Sequence, residues 1–153
     1  MATVEATTQK VQRILVDAFN DVRLRKAGGF FLAVGSSGGF VEIHSWTPDS
    51  DGNPRSLVFI WAPLGRDVPV TPELFHWAAV DGQQFRIGSV SVLENQDKTK
   101  ATCFLQFDHT LLGDYLDPAE LVTAVGAVMY TADDLDEVVH TRFGGKRFSD
   151  PDE

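Results

Sequence analysis

Only one cysteine, Cys103, occurs among the 153 residues, so no disulfide can form within the chain. No stretch approaches the ~20 consecutive apolar residues of a membrane-spanning helix. The opening "MATVEATTQKVQR" lacks the basic-then-apolar layout of a secretory leader. These absences point to a cytoplasmic protein. Positive charge is also scarce: 13 Lys and Arg face 22 Asp and Glu, for a net charge of −9 and a pI near 4.8. Such a surface repels nucleic acid phosphates and anionic lipid headgroups, which argues against both as partners. It suits solubility, or a partner with basic segments. Apolar residues at 43% and charged residues at 23% are ordinary for a globular domain.

What is present begins with an amphipathic pattern. Val11, Ile14, Leu15, Ala18, Phe19 and Val22 recur at spacings of three and four, which predicts a helix of about four turns, closed by Gly28 and Gly29. "FFLAV" then reads as a buried strand. In "FVEIHSW", Val41, Ile43 and Ser45 alternate with Phe40, Glu42, His44 and Trp46, as strand residues do. "SLVFIWA" is apolar on both faces and predicts a central strand. Thr71 and Pro72 open a short helix carrying Leu74, Phe75 and Trp77. "FRIGSVSVLE" and "ATCFLQF", joined by the polar "NQDKTK", read as a hairpin. Asp117, Pro118 and Glu120 open a last helix of about six turns, ended at Gly144 and Gly145. The expected order is α-β-β-β-α-β-β-α, a five-stranded antiparallel sheet with packed helices in the α+β class. A single domain is expected over residues 8–145, with 1–7 and 146–153 as flexible termini.

Signals of chemistry are weak. Gly35-Ser-Ser-Gly-Gly39 could cradle a phosphate only if it led into a helix N-terminus, but residues 40–46 alternate as a strand. No Gly-Lys-Ser/Thr follows, so the segment reads as a turn between strands. Asp49-Ser-Asp-Gly-Asn53 resembles the start of a calcium loop, yet its glycine comes early and Ile60 stands at the twelfth position. His44, His76, His109 and His140 show no metal-ligand spacing. His109 follows Asp108, and a neighbouring carboxylate can raise an imidazole pKa. Alternation turns Cys103 inward with Leu105 and Phe107, where a thiol behaves as a small hydrophobe. No Gly-x-Ser-x-Gly elbow occurs. No catalytic residue, metal or cofactor is expected.

The aromatic content is in surplus. Phe40, Trp46, Trp61, Phe75 and Trp77 lie on elements that already have apolar partners, so some must either fill the core, the default for any single large apolar residue, or form an exposed patch, and the set as a whole points to an interface. The short helix 72–80 is apolar on more of its circumference than one packed face requires.

The order of elements resembles the type III secretion chaperone-like fold, and most closely the YbjN-type domains of bacteria. The resemblance covers roughly residues 10–145 and is carried best by "LLGDYLDPAELVTAVGAVMYTADDLDEVVHTRFGGK", with its Asp-Pro-capped helix, its "ADDLDEVV" segment and its terminal "FGG". It implies a small acidic cytoplasmic protein without enzymatic activity, usually homodimeric, that holds an extended partner chain on apolar patches. Dimer contacts through the short middle helix would fall on Leu74, Phe75 and Trp77. The expected function is a protein-binding module, chaperone-like or regulatory, with itself and an unidentified protein as partners. Phe40, Trp46 and Trp61 are the candidate apolar binding face. The alternative is a small-molecule sensor with a pocket lined by Trp46, Trp61 and His44 beneath the 49–53 loop. A hydrolase using His109 or Cys103 is the third reading.

Overall fold

The computed structural model describes residues 3–34 and 37–151. These form helices α1 (Val4–Ala18), α2 (Pro72–Val80) and α3 (Pro118–Phe143), and strands β1 (Val22–Leu24), β2 (Phe30–Val34), β3 (Ser37–Trp46), β4 (Arg55–Pro69), β5 (Ser89–Glu94) and β6 (Thr102–Leu112). The fold is α+β. All strand pairs are antiparallel, and the sheet order is β1-β2-β3-β4-β6-β5.

The sheet has six strands where five were expected. The first helix stops at Ala18, and the Phe19 N–H closes it on the Leu15 carbonyl. Val22, read as the last residue of the helical stripe, instead opens β1 and pairs with Leu32. A three-residue strand is too short to show alternation, so helical spacing ran into it by chance. Strand β4 is longer than its apolar core suggested, because its register with β6 shifts twice between Pro63 and Val68, which lets it continue to Pro69.

Helix starts follow local chemistry. The Thr71 hydroxyl accepts from the Leu74 N–H at 3.1 Å, and the Asp117 carboxylate accepts from the Glu120 N–H at 2.8 Å. The β2–β3 connection is a hairpin, with Val34 opposite Ser37. Gly35 and Ser36 lie outside the described residues. Gly38 and Gly39, read as turn residues, are strand residues of β3. Gly39 is there for close packing: a side chain at this position would overlap the Met129 thioether, so its absence lets α3 settle on the sheet.

The helices share one core with one side of the sheet. Val11 and Leu15 of α1, Leu74 and Trp77 of α2, and Leu121, Val125, Val128 and Ala132 of α3 join Phe30, Leu32, Val41, Val58, Ile60, Leu105 and Phe107. A polar knot fastens α1 to this body. The Thr7 and Ser56 hydroxyls share a buried hydrogen bond of 2.6 Å, and the Ser56 N–H donates to the Asp114 carboxylate at 3.2 Å. Residues 4–7 are helical, and Thr7 ties this first turn to β4. Residues 146–150 also make contacts with the body: Lys146 pairs with Arg66, and the Asp150 carboxylate accepts from the Arg147 N–H.

Candidate functional site

Because strand side chains alternate, packing one face of the sheet on helices leaves the other face to be read from the register. Phe40 lies opposite Trp61, Glu42 opposite Phe59, His44 opposite Leu57 and Trp46 opposite Arg55. All eight point away from the core strand positions Val41, Val58 and Ile60. The same parity places Phe31, Phe104 and Leu112 on this face.

The rings form a connected row across four strands. Phe31 and Phe40 have centroids 5.3 Å apart, Phe40 and Trp61 stack at 4.2 Å, and Trp61 meets Phe104 edge-on at 6.2 Å. The Trp61 indole N–H donates to the Glu42 carboxylate, so the one polar atom of the ring is satisfied within the face. At the β1 side, the Arg25 guanidinium sits 4.5 Å above the Phe40 ring and Arg23 sits 6.0 Å from Phe31. Phe31, Phe40, Phe59, Trp61 and Phe104 are each partly buried, while Trp46 is 47% exposed at the end of β3 and Leu112 is exposed. The face is an aromatic row set among polar side chains, Glu42, His44 and Arg55 included, with Arg23 and Arg25 along one rim.

The structure thus brings Phe40, Trp46 and Trp61 onto one surface. Phe31, Phe59 and Phe104 belong to it as well and were missed, although the alternation in "FFLAV" and "ATCFLQF" already turns Phe31 and Phe104 away from their buried neighbours. Phe148 also touches it, through a contact that no local pattern reveals.

The other group is divided. Leu74 is fully buried and Trp77 is 4% exposed, its ring 5.5 Å from that of Phe143, whereas Phe75 is 41% exposed. Leu74 and Trp77 are therefore core residues, Trp77 meeting the end of α3, and of the three only Phe75 is exposed. The short helix reads as apolar all round because it packs Leu74, Trp77 and Ala78 on the core and also carries Phe75 and Val80, both exposed.

A cavity of about 370 Å³ lies beside the 49–53 loop, but Asp49, Asn53, Pro54, Arg55, Leu112, Asp114 and Tyr115 line it, not Trp46, Trp61 and His44. The Asp49 carboxylate accepts from the N–H groups of Asp51 and Asn53, both at 2.9 Å, and from the Asn53 side chain. These bonds, the Asn53 N–H foremost, hold its pKa below the usual carboxylate value. The carboxylate shapes its own loop. Among the described residues no group of three or more His, Cys, Asp or Glu side chains could hold a metal ion.

His109 accepts from the Gly88 N–H through Nδ1 at 3.1 Å. Cys103 is buried, and burial, with the Glu94 carboxylate adding to it, pushes its thiol pKa upward. A protonated, enclosed thiol is a poor nucleophile. Cys103 in the native chain is expected to resist alkylation by iodoacetamide over hours and to react fully once denatured. Rapid native labelling would contradict that placement.

Helices on one side of an antiparallel sheet and an aromatic surface on the other define a secretion-chaperone-like module. The chain belongs to the TY-Chap1 family, described as T3SS (YopN, CesT) and YbjN peptide-binding chaperone 1, which it matches over residues 5–151. No curated protein matches it. Among solved structures, the Yersinia pestis type III secretion chaperone SycH, determined in complex with a stable fragment of YscM2, shares the fold. The TM-score is 0.50 at 8% identity, covering 84% of this chain and 98% of that one. Among the described residues, no helix is long and apolar enough to cross a membrane.

Proposed function

We propose that this protein is a non-enzymatic peptide-binding module that holds an extended partner segment against the aromatic face of its sheet, on the side away from the helices. The observation that carries the reading is the continuous row Phe31–Phe40–Trp61–Phe104, left without a helix to cover it. Partly buried rings locked against one another lose little side-chain freedom on binding, so the ordering cost falls mainly on the incoming peptide. Aromatic anchors of this kind carry most of the energy at protein interfaces. The described body acts as one domain, and its second expected partner is another copy of itself. Phe75 and Val80, exposed on α2, support that contact in place of Leu74 and Trp77.

The reading is tested by screening immobilised extended peptides rich in Phe, Tyr, Trp and Leu, in parallel with light scattering. Selective capture of aromatic peptides over polar ones of equal length is expected, with a mass of two subunits. Indifference to peptide composition would refute the binding face. A single-subunit mass that Phe75→Asp leaves unchanged would refute the dimer.

A further inference from the structure

The aromatic face already has an occupant drawn from this chain. After α3 ends at Phe143, Gly144 and Gly145 both take positive φ angles, 82° and 78°, and redirect the backbone. Lys146 then pairs antiparallel with Arg66, through reciprocal N–H to carbonyl bonds of 2.9 and 2.8 Å. This contact lies on β4 beyond Trp61, where its pairing with β3 begins. A tight turn follows. The Asp150 carboxylate accepts from the Arg147 N–H at 2.8 Å, and the Asp150 N–H donates to the Arg147 carbonyl at 3.1 Å. The Arg66 guanidinium donates to the carbonyl oxygens of Arg147 and Asp150, clamping the turn from below. The tip of the turn presents Phe148 edge-on to Phe40, with centroids 6.1 Å apart and planes at 84°.

We propose that residues 146–151 are a displaceable plug: Phe148 fills a seat beside Phe40, and the natural partner is a segment that brings its own aromatic ring to that seat. This rests on the peptide-binding reading above and adds to it the chemistry of the ligand and a competitor built into the chain. Three observations support it. The seat is complete, with Trp61 and Arg25 on the same Phe40 ring that Phe148 abuts. The plugging ring itself is lightly held, since Phe148 remains 48% exposed and among the described residues meets only the Phe40 ring, whereas its flanks are held by Arg66 and by the Arg147–Glu137 ion pair at 2.6 Å. The clamp is generic, because Arg66 grips backbone carbonyls, which any peptide supplies. A tethered segment competes at a high effective concentration, so modest contacts suffice to exclude weak ligands.

The test uses the full chain and a fluorescent peptide with the sequence of residues 145–153, GKRFSDPDE. Two variants free the seat by different routes. Phe148→Ala removes the plugging ring. Gly145→Ala keeps it but adds a Cβ 2.8 Å from the Arg66 carbonyl and 2.8 Å from the Val68 side chain, at a φ that alanine disfavours. Both variants are expected to bind the peptide about tenfold or more tightly than the parent chain. Adding Trp61→Ala to Phe148→Ala is expected to weaken that binding about thirtyfold or more, and so is replacing the phenylalanine of the peptide with alanine. Equal binding by parent and variants would overturn the plug while leaving the face as a peptide site. Affinity within about twofold after Trp61→Ala would overturn both. No binding to any variant would overturn the plug alone, because the aromatic-peptide screen judges the face separately.

Discussion

Trp77→Ala should remove about 3–5 kcal/mol of stability, the range for truncating a large buried aromatic. Trp77 is 4% exposed and joins α2 to the Phe143 end of α3, so the cavity left behind would sit between two helices. Set against a typical total of about 5–15 kcal/mol, that loss is a large fraction. For a chain of this length it corresponds to a fall in Tm of roughly 6–20 °C. Urea titration would show the midpoint move to lower denaturant with the slope preserved. Phe75, two residues earlier on the opposite side of the helix and 41% exposed, provides the contrast: Phe75→Ala should stay within about 0.5 kcal/mol of the parent, as exposed substitutions do. If Trp77→Ala instead left the melt unchanged and altered only subunit mass, its core placement would be wrong.

Trp61→Ala should have the opposite profile. Its ring stacks on Phe40 and meets Phe104, but it faces away from the helices and is only partly buried. The stability cost is expected below that of Trp77→Ala, since no closed cavity forms and water can reach the Glu42 carboxylate that loses its donor. The cost to function should be large. As the central ring of the row, Trp61 has the features of a binding hot spot, worth about 2 kcal/mol or more, which weakens capture of an aromatic peptide roughly thirtyfold. Fluorescence anisotropy with a peptide taken from the screen would measure it. Affinity within about twofold of the parent, on a chain that still melts cooperatively, would exclude Trp61 from the site.

Together the two variants separate roles that tryptophan content alone cannot. In the sequence, Trp61 and Trp77 look equivalent, each within a short apolar run. Alternation does distinguish the strand residues. It correctly turned Cys103, Leu105 and Phe107 inward, and Phe40 and Trp46 away from Val41 and Ile43. On α2 the signal failed, because nine residues that are apolar on most sides give no preferred face. Which side packs is decided by where β5 and the end of α3 lie. Strand β1 was hidden for a related reason: its three residues acquire their identity by pairing with β2, a partner that lies beyond the intervening turn.

The sequence by itself determined the α+β class, the caps at Thr71 and Asp117, the long last helix and the two-sided character of the strands. Each of these depends on neighbours a few residues apart, where hydrogen bonding and side-chain periodicity act directly. Only the tertiary structure decided that the rings of β2, β3, β4 and β6 line up in one row, that Leu74 and Trp77 are interior, and that Phe148 reaches Phe40. Those outcomes depend on strand register and on helix placement across more than a hundred residues of chain. Contacts between distant segments are selected by the packing of the whole core, which no local pattern encodes.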